Sequence, residues 1–160
     1  MNAPMPQGTP PLDWPDYNIG FVDAYKRVFQ KYATFDGRAS RAEFWWWTLA
    51  NFVVVLVLYA LVFAFAFSGD GSGSGMSVIG GIFGILLLIY ALAVIVPSIA
   101  VTVRRLHDAG YSGWFYLVTF IPFVGGIALI VLCAMETSPK AAQYGPPAPE
   151  GYVPPQAMYG

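Results

Sequence analysis

Residues 44–103 form a stretch of 60 with a single charged side chain, Asp70, and residues 109–135 carry none. No soluble fold of this size can wrap that much uncharged length. A typical soluble domain is about 25% charged and about 45–50% apolar, whereas this chain of 160 residues is 11% charged and 57% apolar. The uncharged runs are therefore expected in a bilayer, where about 20 apolar residues at 1.5 Å each cross the hydrocarbon core. Three runs are long enough: residues 44–67, 76–103 and 114–135. The expected fold class is all-α, a polytopic membrane protein with three transmembrane helices and an N-terminal amphipathic interfacial helix.

That leading helix is read over residues 18–33. Phe21, Val22, Tyr25, Val28, Phe29 and Tyr32 fall on one face of a 3.6-residue period, with Lys26, Arg27 and Lys31 away from its centre. Such a basic amphipathic helix lies in the interface, with Lys/Arg at the headgroups, or packs on the cytoplasmic end of the bundle. Five prolines among residues 1–15 mark a disordered tail over 1–17, and no apolar core of a secretory signal follows within the first thirty residues. Residues 138–160 are rich in Pro, Gly and Tyr and read as a second disordered tail.

Local signals bound the spans. Ser40-x-x-Glu43 has the spacing of a capping box, in which Ser caps an early N–H and Glu reaches back. Trp45, Trp46 and Trp47 follow it and suit the headgroup belt. Residues 68–75 (SGDGSGSG) form a flexible linker. Pro97 interrupts the second run. The third, with Pro122 and Gly125-Gly126 inside, is the least regular, and a re-entrant hairpin is its alternative form. Gly110 is expected to end the second helix with a positive φ, and Ser112 to cap the third.

Counting Lys and Arg orients the chain. Five precede the first run, none lies in the 68–75 linker, two (Arg104, Arg105) follow the second run, and one (Lys140) follows the third. If all three runs cross, the positive-inside rule places the N-terminus and the Arg-Arg loop in the cytoplasm and the C-terminus outside.

Two motifs stand at that cytoplasmic face. Phe35-Asp36-Gly37-Arg38-Ala39-Ser40-Arg41-Ala42-Glu43-Phe44-Trp45 precedes the first span, and Arg104-Arg105-Leu106-His107-Asp108-Ala109-Gly110-Tyr111-Ser112-Gly113-Trp114 joins the second and third. Together with Ile121-Pro122 and Tyr144-Gly145, they make the chain resemble the DUF805 family, small bacterial inner-membrane proteins of unknown function. The resemblance implies a membrane domain over 18–137 and a bacterial inner-membrane location, and it brings no reaction.

The polar residues of these motifs support several functions. Asp36 or Glu43 could pair with Arg104 or Arg105 and tie the first helix to the loop, while Arg104, Arg105 and His107 complement a helix C-terminus. The same forked donors suit phosphate or carboxylate groups, including anionic lipid heads. Arg38, Arg41, Arg104, Arg105, His107 and Asp108 are the candidate residues for binding a lipid or a protein partner. His107 and Asp108 are adjacent in sequence, so spacing alone does not orient them as a catalytic pair. No nucleophile elbow, HExxH, P-loop or dinucleotide fingerprint occurs, and one Cys and one His leave no metal cluster. A formal charge of −1 gives no field for nucleic acid. The sequence thus points to a non-catalytic membrane module without cofactor or metal. The alternative is a component of a small oligomeric transporter or channel, in which small-residue spacings such as Gly80-x-x-x-Gly84 would pack helices or copies together.

Overall fold

A computed structural model describes residues 12, 14–17, 19–66 and 78–145. The 68–75 linker and most of both expected tails lie outside the described residues. The described elements, in order, are α1 (Phe21–Gln30), α2 (Arg41–Ala66), α3 (Val78–Asp108), a 3₁₀ helix (Gly113–Phe120), α4 (Gly125–Ala134) and a second 3₁₀ helix (Pro139–Tyr144). No strand occurs among the described residues.

Helices α2 and α3 have 26 and 31 residues, or about 39 and 46 Å at 1.5 Å per residue, against a hydrocarbon core of about 30 Å. Pro97 sits inside α3 without ending it. The chain divides into two compact units, one made of Met1–Trp47 with Pro97–Gly160 and the other of Thr48–Val96.

The second unit is a pair of apolar helical stretches. Asn51 meets Tyr90, whose hydroxyl donates to Asn51 Oδ1 at 2.7 Å, and the Phe65 and Phe83 rings stack at 5.5 Å. Gly80 lies against the Ala66 backbone, where a Cβ would stand 2.8 Å from the amide nitrogen. One index rises as the other falls, so the two stretches run antiparallel. Gly80 thus has a use in packing this chain on itself.

The first unit is built around small buried residues (Ala24, Ala39, Ala100, Ala109, Ala141) with Trp47, Val101 and Leu106. Helix α1 is shorter than the sequence suggests. Its rings at Tyr25 and Phe29 meet Trp47, and that at Phe21 meets Trp46. Arg27 and Lys31, expected at the headgroups, are buried, while Lys26 is exposed. The tails are also shorter at their inner ends than composition suggests. Pro15 and Asp16 are buried, Arg27 donates to the Trp14 carbonyl, and residues 139–144 form a turn of helix with Ala141 buried. In each case a polar partner or a small side chain supplies the anchorage that a Pro-rich composition does not advertise.

The third apolar run departs furthest from expectation. It is two short helices rather than one span over 114–135, and they pack against each other. The 3₁₀ helix Gly113–Phe120 rises about 16 Å at 2.0 Å per residue, and α4 about 15 Å, so each covers roughly half of a hydrocarbon core. Pro122 cannot donate to a continuing helix, and Phe123 takes a positive φ of 66°. The Gly125 amide closes the turn onto the Ile121 carbonyl at 2.9 Å. A Cβ on Gly125 would stand 2.1 Å from the Val118 carbonyl oxygen, so only glycine permits the return path to lie this close. The tip is apolar throughout, and Phe123 is 97% exposed.

Candidate functional site

Asp108 ends α3 and is the hub of the first unit. Arg38 reaches its Oδ1 from the stretch before α2, with Nε at 2.9 Å and Nη2 at 2.8 Å. Arg105, one turn back on α3, donates to Oδ2 at 2.5 Å. Thr137 donates to Oδ2 at 2.7 Å, and the Tyr17 hydroxyl to Oδ1 at 2.9 Å. Both oxygens are thereby filled by four side chains from four parts of the chain. Burial first, and then the Asp108 charge, pushes the Tyr17 phenol above its ordinary value, which keeps it a donor.

Arg105 does more than pair with Asp108. Its Nε donates to the Cys133 carbonyl at 2.8 Å and its Nη2 to the Met135 carbonyl. Those are acceptors that α4 leaves open at its C-terminus. One guanidinium thus joins the end of α3 to the end of α4. The Ser138 amide completes the join by donating to the Asp108 carbonyl at 3.0 Å. The chain that leaves at Gly113 therefore returns to the level of Asp108 after α4.

A second ion pair lies one residue back. Arg104 Nη1 meets Glu43 Oε1 at 3.0 Å, with both side chains fully buried, and Arg27 Nε stands 3.8 Å from Glu43 Oε2. The Ala39 amide donates to the Arg104 carbonyl at 3.0 Å. Ser40 Oγ accepts from the Glu43 amide at 3.1 Å and so caps α2. Glu43 does not reach back as a capping box would have it. Its carboxylate points to Arg104 instead, because a buried guanidinium needs a counterion more than an amide needs a second acceptor.

The loop after α3 is shaped by Gly110 at φ +84°. The Gly110 amide donates to the His107 carbonyl and the Tyr111 amide to the Leu106 carbonyl, the paired bonds of a Schellman motif. His107 Nδ1 lies 3.1 Å from the Gly37 carbonyl, and its ring stacks on Tyr144 at 4.1 Å and 4°. Ser112 Oγ accepts from the Trp114 amide at 3.4 Å and caps the first 3₁₀ helix.

Of the six candidate binding residues, Arg38, Arg104, Arg105 and Asp108 are thus buried and joined to protein partners. His107 is half-buried, and only Arg41 is exposed. Asp36 is exposed, and Glu43 is the acid that ties α2 to α3. Sequence reasoning did not find Tyr17, Arg27, Thr137 or Ser138. Tyr17, Thr137 and Ser138 come from stretches without periodicity, Arg27 reads as a headgroup cation of the amphipathic helix, and only Tyr144, within the recognisable Tyr-Gly pair, carried a signal. No group of three or more His, Cys, Asp or Glu able to hold a metal occurs among the described residues.

Comparison with known proteins shows the family of the chain. The family model "Protein of unknown function (DUF805)" matches residues 32–146. The inner membrane protein YhaH of Escherichia coli K12 is 34% identical over 125 residues, covering 78% of this chain and 95% of that protein. The inner membrane protein YhaI of the same organism is also 34% identical over 125 residues, covering 76% and 91%. No solved structure matches. With two helices long and apolar enough to cross a bilayer and relatives named for the inner membrane, this chain is an integral membrane protein and belongs to the DUF805 family.

Proposed function

We propose that this protein is a non-catalytic inner-membrane module whose ion-locked end is a rigid cytoplasmic platform resting on anionic lipid headgroups. The observation that carries this reading is the division of labour among the cations. Arg38, Arg104 and Arg105 are consumed by buried carboxylates, while Lys26 and Arg41 remain on the surface, Arg41 one helical turn before the exposed Trp45. Exposed cations next to half-exposed tryptophans suit the headgroup layer.

The orientation belongs to the same proposal. With the third run as a re-entrant hairpin, Lys140 joins the side that holds the other seven cations, and all eight Lys and Arg fall on one face. Positive-inside bias then favours both tails in the cytoplasm, rather than a C-terminus outside.

The test is native mass spectrometry of the full chain titrated with phosphatidylglycerol and phosphatidylethanolamine. Each surface cation near an anionic layer contributes about 1 kcal/mol, so Lys26→Gln with Arg41→Gln should lower retention of phosphatidylglycerol about thirtyfold. Unchanged retention in that variant overturns the platform reading.

A further inference from the structure

The first unit holds a cavity of about 480 Å³ that none of the ion pairs uses. Phe35, Val103, Trp114 and Leu117 form apolar walls, and His107 and Ser112 supply polar atoms. Trp114 is 78% exposed, so the cavity opens to the surroundings at the start of the hairpin. Its size falls within the range of about 300–1,000 Å³ typical of small-molecule pockets.

Hydrogen-bond accounting states what its polar end can recognise. A carbonyl oxygen only accepts, so the 3.1 Å contact with Gly37 requires the proton of a neutral His107 on Nδ1. Nε2 is then an acceptor, and it has no hydrogen bond among the described residues. Stacking on Tyr144 fixes the plane of the ring and hence the direction of that lone pair. Ser112 Oγ already accepts from the Trp114 amide and keeps its own proton to donate. No charged side chain lines the cavity.

We infer that this cavity binds a membrane amphiphile whose polar head carries an N–H or O–H donor, with Nε2 of His107 accepting from the head and the acyl portion lying along Phe35, Trp114 and Leu117. A primary ammonium and a glycerol hydroxyl share this chemistry, whereas a choline head has no donor. The inference rests on the membrane setting of the proposed function and is independent of its surface cations.

The experiment is native mass spectrometry of the full chain carrying Lys26→Gln and Arg41→Gln, which removes the platform's charge preference for phosphatidylglycerol, with equimolar phosphatidylethanolamine, phosphatidylglycerol and phosphatidylcholine. One hydrogen bond has a net worth of about 0.5–1.5 kcal/mol, so one or both donor lipids should be retained about threefold to tenfold over phosphatidylcholine. Preference for ethanolamine alone assigns the ammonium, and for glycerol alone the hydroxyl. His107→Asn keeps an amide donor for Gly37 and removes Nε2, and it should bring the three lipids to near parity. Leu117→Trp, at a half-exposed wall position, should lower occupancy by all three. Equal retention of all three lipids in that background, a preference that survives the addition of His107→Asn, or occupancy unaltered by the addition of Leu117→Trp each overturns the inference.

Discussion

Around Asp108, buried charge joins segments far apart in sequence, from Tyr17 and Arg38 to Thr137. Among the described residues of 48–96 no side chain is charged, the joins include the Asn51–Tyr90 hydrogen bond and the Phe65–Phe83 stack, and large side chains such as Leu56, Phe63 and Leu92 are exposed. The contrast follows from the solvent each region meets. In hydrocarbon, exposed leucine costs nothing and contact between apolar helices gains little, so packing there depends on close approach and the occasional hydrogen bond. Near water, loops and helix ends leave open backbone groups, and buried guanidiniums can satisfy several of them at once. Arg105 does so for two carbonyls and a carboxylate.

The strongest way to break this contrast is to remove the hub charge. Asp108→Asn leaves Arg38 and Arg105 buried without their counterion and should cost about 3–5 kcal/mol. A large drop in the thermal midpoint in detergent is the expected readout. A near-normal midpoint would mean that water reaches the pair and that charge does not hold this end together. Next in size is Gly125→Ala. Its Cβ cannot occupy the space 2.1 Å from the Val118 oxygen, so the hairpin must part, at about 1–3 kcal/mol. Rising protease sensitivity near Phe123 would report it. Smaller still is Asn51→Leu, which leaves the Tyr90 hydroxyl without its acceptor in the apolar pair. Interhelical bonds of this kind contribute about 0.6 kcal/mol and at most about 1.7. If Asn51→Leu destabilised the protein as much as Asp108→Asn, the two regions would not differ as described.

How much of this was visible beforehand varied with the kind of force involved. Helices α2 and α3 were legible because an uncharged run of that length has few other solutions. Gly110 and Ser40 were legible because caps are local. The third run was harder to read. Its 22 apolar residues satisfy the length of a span, and Pro122 and Gly125 only hinted at a break. What turns it back is Arg105 reaching the Cys133 and Met135 carbonyls, 28 and 30 residues away, and no periodicity encodes that. The arginines were identified as important and Glu43 was named as a partner for Arg104 or Arg105, but Asp108 was not identified as the counterion of Arg38 and Arg105. A cation that will be buried and one that will face headgroups look alike until the carboxylate that claims it is placed. Glu43 was readable both as a capping-box acid and as a partner for Arg104 or Arg105, and it is the pair with Arg104 that forms.

The return of the chain to Asp108 is the central claim, and accessible-cysteine labelling tests it most directly. In a Cys133→Ala background, Gln143→Cys and Asp36→Cys place single exposed thiols after the hairpin and before α2. A membrane-impermeant maleimide should label both in inverted inner-membrane vesicles and neither in right-side-out spheroplasts. Labelling of Gln143→Cys from the outside, with Asp36→Cys still protected, would mean that the third run crosses the membrane and that the hairpin is wrong.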